Sequence, residues 1–204
     1  MTEMLDVYDA NRRLIGTADR NVVHACGLWH KTVHCWIVWR GKLVFQRRAA
    51  GATNGGKLYT TASGHVSAGE SIETAFAREI AGEIGIKPEH PRKLSETVWI
   101  GDFKKSDGTM FIDRVFANVF FAEYDGWLGD FKFDDGEVDA VVAIDLDKFI
   151  EFARAGGTCA ATEFDGHEIH EIIVLPADFV LIGDETVYGK YAKNAEQIKA
   201  ELEK

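Results

Sequence analysis

Short apolar runs bounded by turn residues recur along the chain and predict mainly β-strands. Two such runs, 33–39 and 42–47, meet at Arg40-Gly41 and predict a hairpin. A loop rich in glycine and alanine follows over 49–56. Further strands are predicted at 4–9, 14–19, 57–62, 94–103, 110–124 and 138–144 and, after a turn at Asp165-Gly166, at 167–175.

Helical periodicity is clearest between Ser71 and Gly85. Ser71 is a good N-cap residue, Gly85 suits the end of a helix, and prolines at 88 and 91 prevent its continuation. Shorter helical patterns cover 147–155 and 190–204. Strands mixed with a few helices predict a layered α/β sandwich. Because no linker, repeat or low-complexity segment interrupts the chain, we expect one domain over 1–204, with 146–204 as a C-terminal extension packed on it.

Two carboxylates fall within the apolar side of the 71–85 helix. At about 100° per residue, Glu79 and Glu83 share an angular sector with Ile72 and Phe76. Burying an acid is costly unless a cation meets it. The two residues are four apart, so their side chains are neighbours and suit Mg²⁺. The alternative is an exposed acidic face with incidental salt bridges.

Composition narrows the classes of partner. With 33 acidic and 23 basic residues, the net charge is −10, which argues against non-specific binding to nucleic acid or to an anionic membrane. No apolar run approaches the roughly 20 residues that span a bilayer, and the acidic N-terminus lacks the features of a secretory signal. We therefore expect a cytoplasmic protein. Three cysteines without CxxC spacing predict free thiols.

Residues 64–86 resemble the Nudix box, whose pattern is Gly, five residues, Glu, seven residues, then Arg-Glu-apolar-x-Glu-Glu-x-Gly-apolar. One fixed position departs from it, because Gly82 replaces the first glutamate of the Glu-Glu pair. The other eight positions match in register: Gly64, Glu70, Arg78, Glu79, Ile80, Glu83, Gly85 and Ile86.

The resemblance implies an α/β/α sandwich with a mixed central sheet, in which the box forms a loop-helix-loop. It also implies hydrolysis of a diphosphate bond in a small phosphorylated metabolite, typically a nucleoside diphosphate derivative, with Mg²⁺ or Mn²⁺. The implied metal ligands are Glu79, Glu83 and the carbonyl of Gly64, and either glutamate is a candidate catalytic base. Glu70 and Arg78 would form a supporting pair. The family and the apolar N-terminal strands suggest a homodimer.

Other candidates lie outside the carboxylate pair. Glu137 is the candidate replacement for the acid missing at Gly82, the alternative being a solvated acidic loop. The candidate contacts to substrate either lie near the box in sequence or lie in an exposed loop. Each of them could instead have a purely structural role. They are Arg47, Arg48, His65 and Trp127.

A wider resemblance, over about residues 4–145, is to Nudix proteins related to isopentenyl-diphosphate isomerase. Those isomerases use a cysteine where this chain has Ser63, and they hold a metal with histidines and with glutamates on a later strand. His24, His30 and His65 could match the histidines, but Ile112-Asp113-Arg114 lacks the paired glutamates. Hydrolysis is therefore favoured. Isomerisation remains an alternative, as does a weakened Nudix domain that only binds a phosphorylated ligand. The spacing of His24, His30 and His34 fits no zinc motif.

Overall fold

A nine-stranded mixed sheet forms the middle of the described part of the chain. The computed structural model describes residues 2–104, 108–134, 136–181 and 185–204. The sheet comprises β3 (His30–Trp39), β4 (Lys42–Arg48), β5 (Leu58–Tyr59), β6 (Ala62–His65), β7 (Arg92–Lys104), β8 (Met110–Tyr124), β9 (Val138–Asp145), β10 (Cys159–Phe164) and β11 (Ile169–Val174). A separate hairpin comprises β1 (Met4–Tyr8) and β2 (Leu14–Asp19).

The strand order along the sheet is β11-β10-β9-β4-β3-β8-β7, with β5 paired to β4 and β6 paired to β3. Strands β3 and β8 run parallel, whereas the other pairs are antiparallel. The α-helices of the described residues are α1 (Arg20–Cys26), α2 (Ile72–Ile84), α3 (Leu146–Ala155) and α4 (Lys193–Leu202). A π-helical turn, Tyr188–Ala192, leads into α4. No described helix is both long and apolar enough to cross a membrane.

Helices cover both faces of the sheet. On one, which we call the box face, α2 packs Phe76 and Ile80 against alternate residues of β3 such as Val33. On the opposite, terminal face, Phe149 of α3 and Ile198 of α4 join a second apolar cluster. The alternation of side chains along each strand supplies both clusters. The predicted α/β/α sandwich is thus confirmed.

Helix α2 begins and ends where the sequence predicts. The Ser71 hydroxyl accepts a hydrogen bond from the backbone N–H of Thr74 at 3.1 Å, which caps the first turn. Gly85 ends the helix at φ +72°, and a Cβ there would lie 2.8 Å from that of Lys132. A residue other than glycine would therefore be both strained and crowded at this position.

Replacing the cap should weaken the fold measurably. We expect Ser71→Ala to lower the free energy of unfolding by about 1 kcal/mol, because the N–H of Thr74 loses its acceptor. Urea denaturation measures the change. Ser71→Asp keeps an acceptor and should remain close to wild type, so equal losses in both variants would contradict the capping role.

Two elements differ from the prediction. The predicted strand 57–62 is instead divided: β5 covers only Leu58–Tyr59, and β6 begins at Ala62 and continues to His65. Between them the Thr61 hydroxyl accepts from the backbone N–H of Ile37 at 2.9 Å and interrupts the ladder. Helix α1 was not predicted from the sequence. It begins at an Asp19 cap, whose carboxylate accepts from the N–H of Asn21 at 2.8 Å, and ends at Gly27 with φ +64°.

Candidate active site

The Glu83 carboxylate is buried, with 4% of its surface exposed, between α2 and the sheet. One oxygen accepts from the backbone N–H of Ser63 at 3.1 Å, and the other accepts from Gln46 Nε2 at 2.8 Å. Burial raises the pKa of Glu83 to about 8, and the nearby Glu79 and Glu137 carboxylates push the pKa in the same direction. The two hydrogen bonds thus do not offset the cost of burying the ionised Glu83 carboxylate. A bound cation would reduce this cost.

The Glu79 carboxylate lies directly against Gly64 of β6. A Cβ at Gly64 would overlap the carboxylate of Glu79, so only glycine fits. Burial raises the pKa of Glu79, while Arg78 opposes this shift through a hydrogen bond of 2.7 Å from Nη1 to Oε1. Glu79 and Glu83 therefore meet the same short strand, one at Gly64 and the other at Ser63.

Arg78 fixes the loop that leads from β6 into α2. Its Nε and Nη2 donate to the two oxygens of Glu70 at 2.9 and 2.8 Å, and Nη2 also donates to the His65 carbonyl at 2.8 Å. The Arg78 guanidinium lowers the pKa of Glu70, and Glu70 in turn raises that of Arg78. The pair predicted as supporting residues thus joins helix, loop and strand.

The residues around the carboxylates fit a hard divalent cation. Two desolvated carboxylates face one strand, and the buried Oε1 of Gln46 lacks a hydrogen-bond partner beside Glu83. Oxygen ligands of this kind suit Mg²⁺ or Mn²⁺. A Cβ added at Gly82, where the box pattern has its missing acid, would meet nothing within 4 Å. There is therefore free space beside this position. Glu137 is exposed, and its charge reaches both carboxylates.

Enlarging Gly64 should disturb this arrangement directly. We expect Gly64→Ala to displace the Glu79 carboxylate and to weaken Mg²⁺ binding by about tenfold or more, as the added methyl occupies its place. Isothermal calorimetry with Mg²⁺ measures the change. Gly82→Ala adds the same methyl into open space and serves as the control. Equal affinities in the two variants would show that Glu79 does not hold metal.

A second cluster of metal-binding side chains lies next to the first. His24 of α1, His30 of β3 and His65 of β6 place one nitrogen each within 4.8 Å of one another. His24 Nε2 and His65 Nε2 are 3.0 Å apart. Asp113 of β8 completes the group, because its Oδ1 lies 3.2 Å from His24 Nδ1 and 3.5 Å from His30 Nε2.

The histidine cluster has the donor set of a transition-metal site. His30 Nδ1 lies 3.0 Å from the Leu28 carbonyl, which leaves Nε2 facing Asp113 with its lone pair available. Burial lowers the pKa of His30, and it lowers that of His65 to about 2, so both rings are neutral as ligands must be. Three imidazoles and a carboxylate favour Mn²⁺, Fe²⁺ or Zn²⁺. The spacing of the histidines alone does not reveal this cluster.

The candidate substrate contacts lie in different surroundings. His65 belongs to the histidine cluster. Arg47 donates to Glu163 at 2.6 Å from Nε and to the Gly56 carbonyl at 3.0 Å, so its guanidinium holds neighbouring segments together. Arg48 donates to the Thr53 carbonyl at 2.7 Å. Trp127 is 62% exposed in the loop after β8.

Fold and site together define a class: an α/β/α sandwich in which a loop and a helix present carboxylates to one strand of a mixed sheet. A model of the NUDIX domain matches residues 28–160. The chain therefore belongs to the Nudix family, whose general chemistry is the hydrolysis of pyrophosphate bonds.

Relatives agree with this assignment. The chain is 35% identical over 156 residues to an uncharacterized Nudix hydrolase of Clostridium acetobutylicum, covering 74% of this chain and 73% of the relative. It is 29% identical over 128 residues to an isopentenyl-diphosphate Δ-isomerase of Serratia proteamaculans, covering 62% and 69%. The crystal structure of DR0079 from Deinococcus radiodurans superposes with a TM-score of 0.55 at 19% identity, covering 76% and 90%. The resemblance to the Nudix family and the wider resemblance to its isomerase-like members are thus confirmed.

Proposed function

We propose that this protein hydrolyses a diphosphate bond in a small phosphorylated metabolite with the help of Mg²⁺ or Mn²⁺, and that the metabolite is a nucleoside diphosphate derivative. The observation that carries the proposal is the desolvated pair of carboxylates, with Glu79 packed against Gly64 and Glu83 accepting from the N–H of Ser63. Arg78 meets Glu79 but not Glu83 among the hydrogen bonds of the described residues.

The chain's own residues have distinct roles in this proposal. A divalent cation, when bound, would stabilise charge on the phosphoryl oxygens and acidify an attacking water. Glu83 is oriented by Ser63 and Gln46 and would hold the ion, with Glu79 and the Gly64 carbonyl beside it. Either glutamate could take the proton of the attacking water. Glu137 is the proposed additional acid, because its charge reaches both carboxylates.

The reaction is tested by measuring release of phosphate or pyrophosphate from a panel of diphosphate compounds, with and without Mg²⁺. The expected result is metal-dependent release from at least one nucleoside diphosphate derivative. Absence of release from every compound would contradict hydrolysis and would favour a domain that binds a phosphorylated ligand without turnover. The proposed setting is the cytoplasm, with residues 1–204 acting as one domain and pairing as a homodimer.

A second function, isomerisation of an allylic diphosphate, is favoured by one observation, the cluster of His24, His30, His65 and Asp113. Ser63 argues against it, because a hydroxyl is a far weaker acid than the thiol those isomerases use, and proton transfer at carbon would lose its catalyst. Incubation with isopentenyl diphosphate should therefore give no migration of the double bond. A Ser63→Cys variant is the informative comparison.

A further inference from the structure

Strand β7 forms one edge of the sheet and is long for that position. It has 13 residues, against about five or six in an average strand. Edge strands are normally protected by charges, prolines or bulges, because their unpaired backbone groups can pair with another chain. Residues 97–101, Thr-Val-Trp-Ile-Gly, contain neither a charge nor a proline. Within this stretch Val98 and Ile100 share a face of the strand and are 51% and 60% exposed.

The start of β7 is covered, unlike the stretch that follows it. Arg92 Nη1 donates to the Glu201 carbonyl of α4 at 3.1 Å, and Leu94 packs against the apolar cluster of the terminal face. A bulge between Lys93 and Ser95 also shifts the register of β7 with β8. The unprotected part of the edge therefore begins after Ser95.

The end of β7 belongs to a two-stranded ribbon. Pairing between β3 and β8 begins only at Val115, whereas β7 and β8 remain paired as far as Lys104 and Met110. Residues 100–104 and 110–114 therefore extend beyond the neighbouring strand, with α1 packed beside β8. A two-stranded ribbon has little stability of its own. A further strand along β7 would stabilise it.

We propose that the exposed part of β7 pairs antiparallel with β7 of a second copy of this chain, so that the two sheets continue into each other. This inference rests on the homodimer proposed above and names its surface, and it is independent of the hydrolysis. Such an interface is self-complementary and closes as a dimer about a two-fold axis. The axis is perpendicular to the sheet and keeps every side chain on its own face, so one residue of β7 must lie opposite its own copy.

Two choices for the residue at the axis are unfavourable. With Trp99 there, Glu96 would lie opposite Asp102 of the second copy, and the same pair of like charges would recur across the axis. Like charges directly opposite each other destabilise a sheet. With Val98 there, the last residues of β7 would meet the start of the copy's strand, which α4 covers.

Ile100 is the favourable residue at the axis. Glu96 then lies opposite Lys104 of the second copy, which places an ion pair at each end of the interface. Ile100 packs against its own copy, with Val98 as a diagonal neighbour. The projecting residues of each ribbon pair with the anchored part of β7 in the other copy, so each copy supplies the strand that the other ribbon lacks.

Sedimentation velocity over a range of concentrations tests the pairing. Wild type should form a dimer, and Ile100→Lys should raise its dissociation constant about 100-fold, because two lysines would then face each other across the axis. Ile173→Lys is the matched control and should dimerise as wild type does. Ile173 lies on β11 at the other edge of the sheet and is 62% exposed. Equal melting temperatures of the two variants would show that both fold.

Cysteine cross-linking tests the register. In a Cys26→Ser background, which lacks the exposed native thiol, Ile100→Cys should form a covalent dimer on mild oxidation, because the two thiols face each other. Val98→Cys should not, since its copy lies four positions away along the strands, roughly 13 Å. Cross-linking of Val98→Cys in place of Ile100→Cys would overturn this register.

The remaining outcomes are distinct. A monomeric wild type would overturn the inference and would leave the β7 edge to an extended segment of another protein. A dimer that survives Ile100→Lys would keep the homodimer but exclude this surface, and open-ended association would contradict a closed pair. Hydrolysis is assayed separately on the same samples, so its absence from a dimeric wild type would count against the reaction alone.

Discussion

Glu83→Gln should reduce the rate of metal-dependent diphosphate hydrolysis by about 10³-fold, equivalent to ~4 kcal/mol of transition-state stabilisation. The amide keeps the shape of the side chain and its position beside Ser63 and Gln46 but removes the charge that would hold the cation. Steady-state kinetics over a range of Mg²⁺ concentrations measures the loss. Glu73→Gln, the same change on an exposed position of α2, is the matched control. A near-normal rate for Glu83→Gln would contradict the proposed metal site.

The same substitution should stabilise the metal-free fold. The pKa of Glu83 is about 8 in the folded chain against an ordinary value of 4.5, so the folded state holds its proton more tightly. The free energy of unfolding of the metal-free protein therefore falls by a few kcal/mol as the pH rises from about 4.5 to 8, which is the amount that the shift in the Glu83 pKa implies. The Glu83→Gln variant lacks this penalty. Without metal it should therefore melt at a higher temperature than wild type at pH 8, whereas the two should melt alike at pH 4. Mg²⁺ should narrow the difference by stabilising only the wild type.

The second large effect concerns the histidine cluster. We expect wild type to bind Co²⁺ there with a visible absorption band, and His24→Asn to weaken that binding by about 100-fold or more, since it removes one of three imidazoles. Titration followed by absorption measures the affinity. His170→Asn replaces an exposed histidine of β11 and should leave binding unchanged.

The Co²⁺ titration also separates the two centres. Glu83→Gln should retain the absorption band, because Glu83 lies on the box face and the histidines lie towards the terminal face. An unchanged affinity in His24→Asn would mean that the three imidazoles serve only to pack against one another. Loss of the band in Glu83→Gln would mean that the two groups bind a single ion.

Much of the fold follows from local pattern. The helix around Ile80 has a wide apolar stripe, a cap at Ser71 and a stop at Gly85, so sequence alone locates both of its ends. Helix α1 escapes prediction because it has only seven residues, of which Val23 and His24 alone are buried. Too few apolar positions remain to reveal a period of 3.6.

The two parts of the site also differ in how far local sequence predicts them. The carboxylates lie on one helix, so a motif within 23 residues contains them. The histidine cluster draws on α1, β3, β6 and β8, and its members meet because β3 and β8 pair in parallel across a long stretch of chain. Spacing between His24 and His30 carries no information about Asp113. Long-range strand pairing, which no local pattern encodes, determines that part of the site.

The contacts of Arg78 have a kinetic consequence. By joining the loop at Glu70 and the strand at the His65 carbonyl, Arg78 closes the segment 64–70 at both ends, so this side should exchange ions slowly. By contrast, Glu3 and Arg20 form an exposed ion pair at 3.2 Å, of the kind that opens at little cost. Opening of the 64–70 segment requires Arg78 to release Glu70 and the His65 carbonyl together, so this loop should open far more slowly than the N-terminal pair.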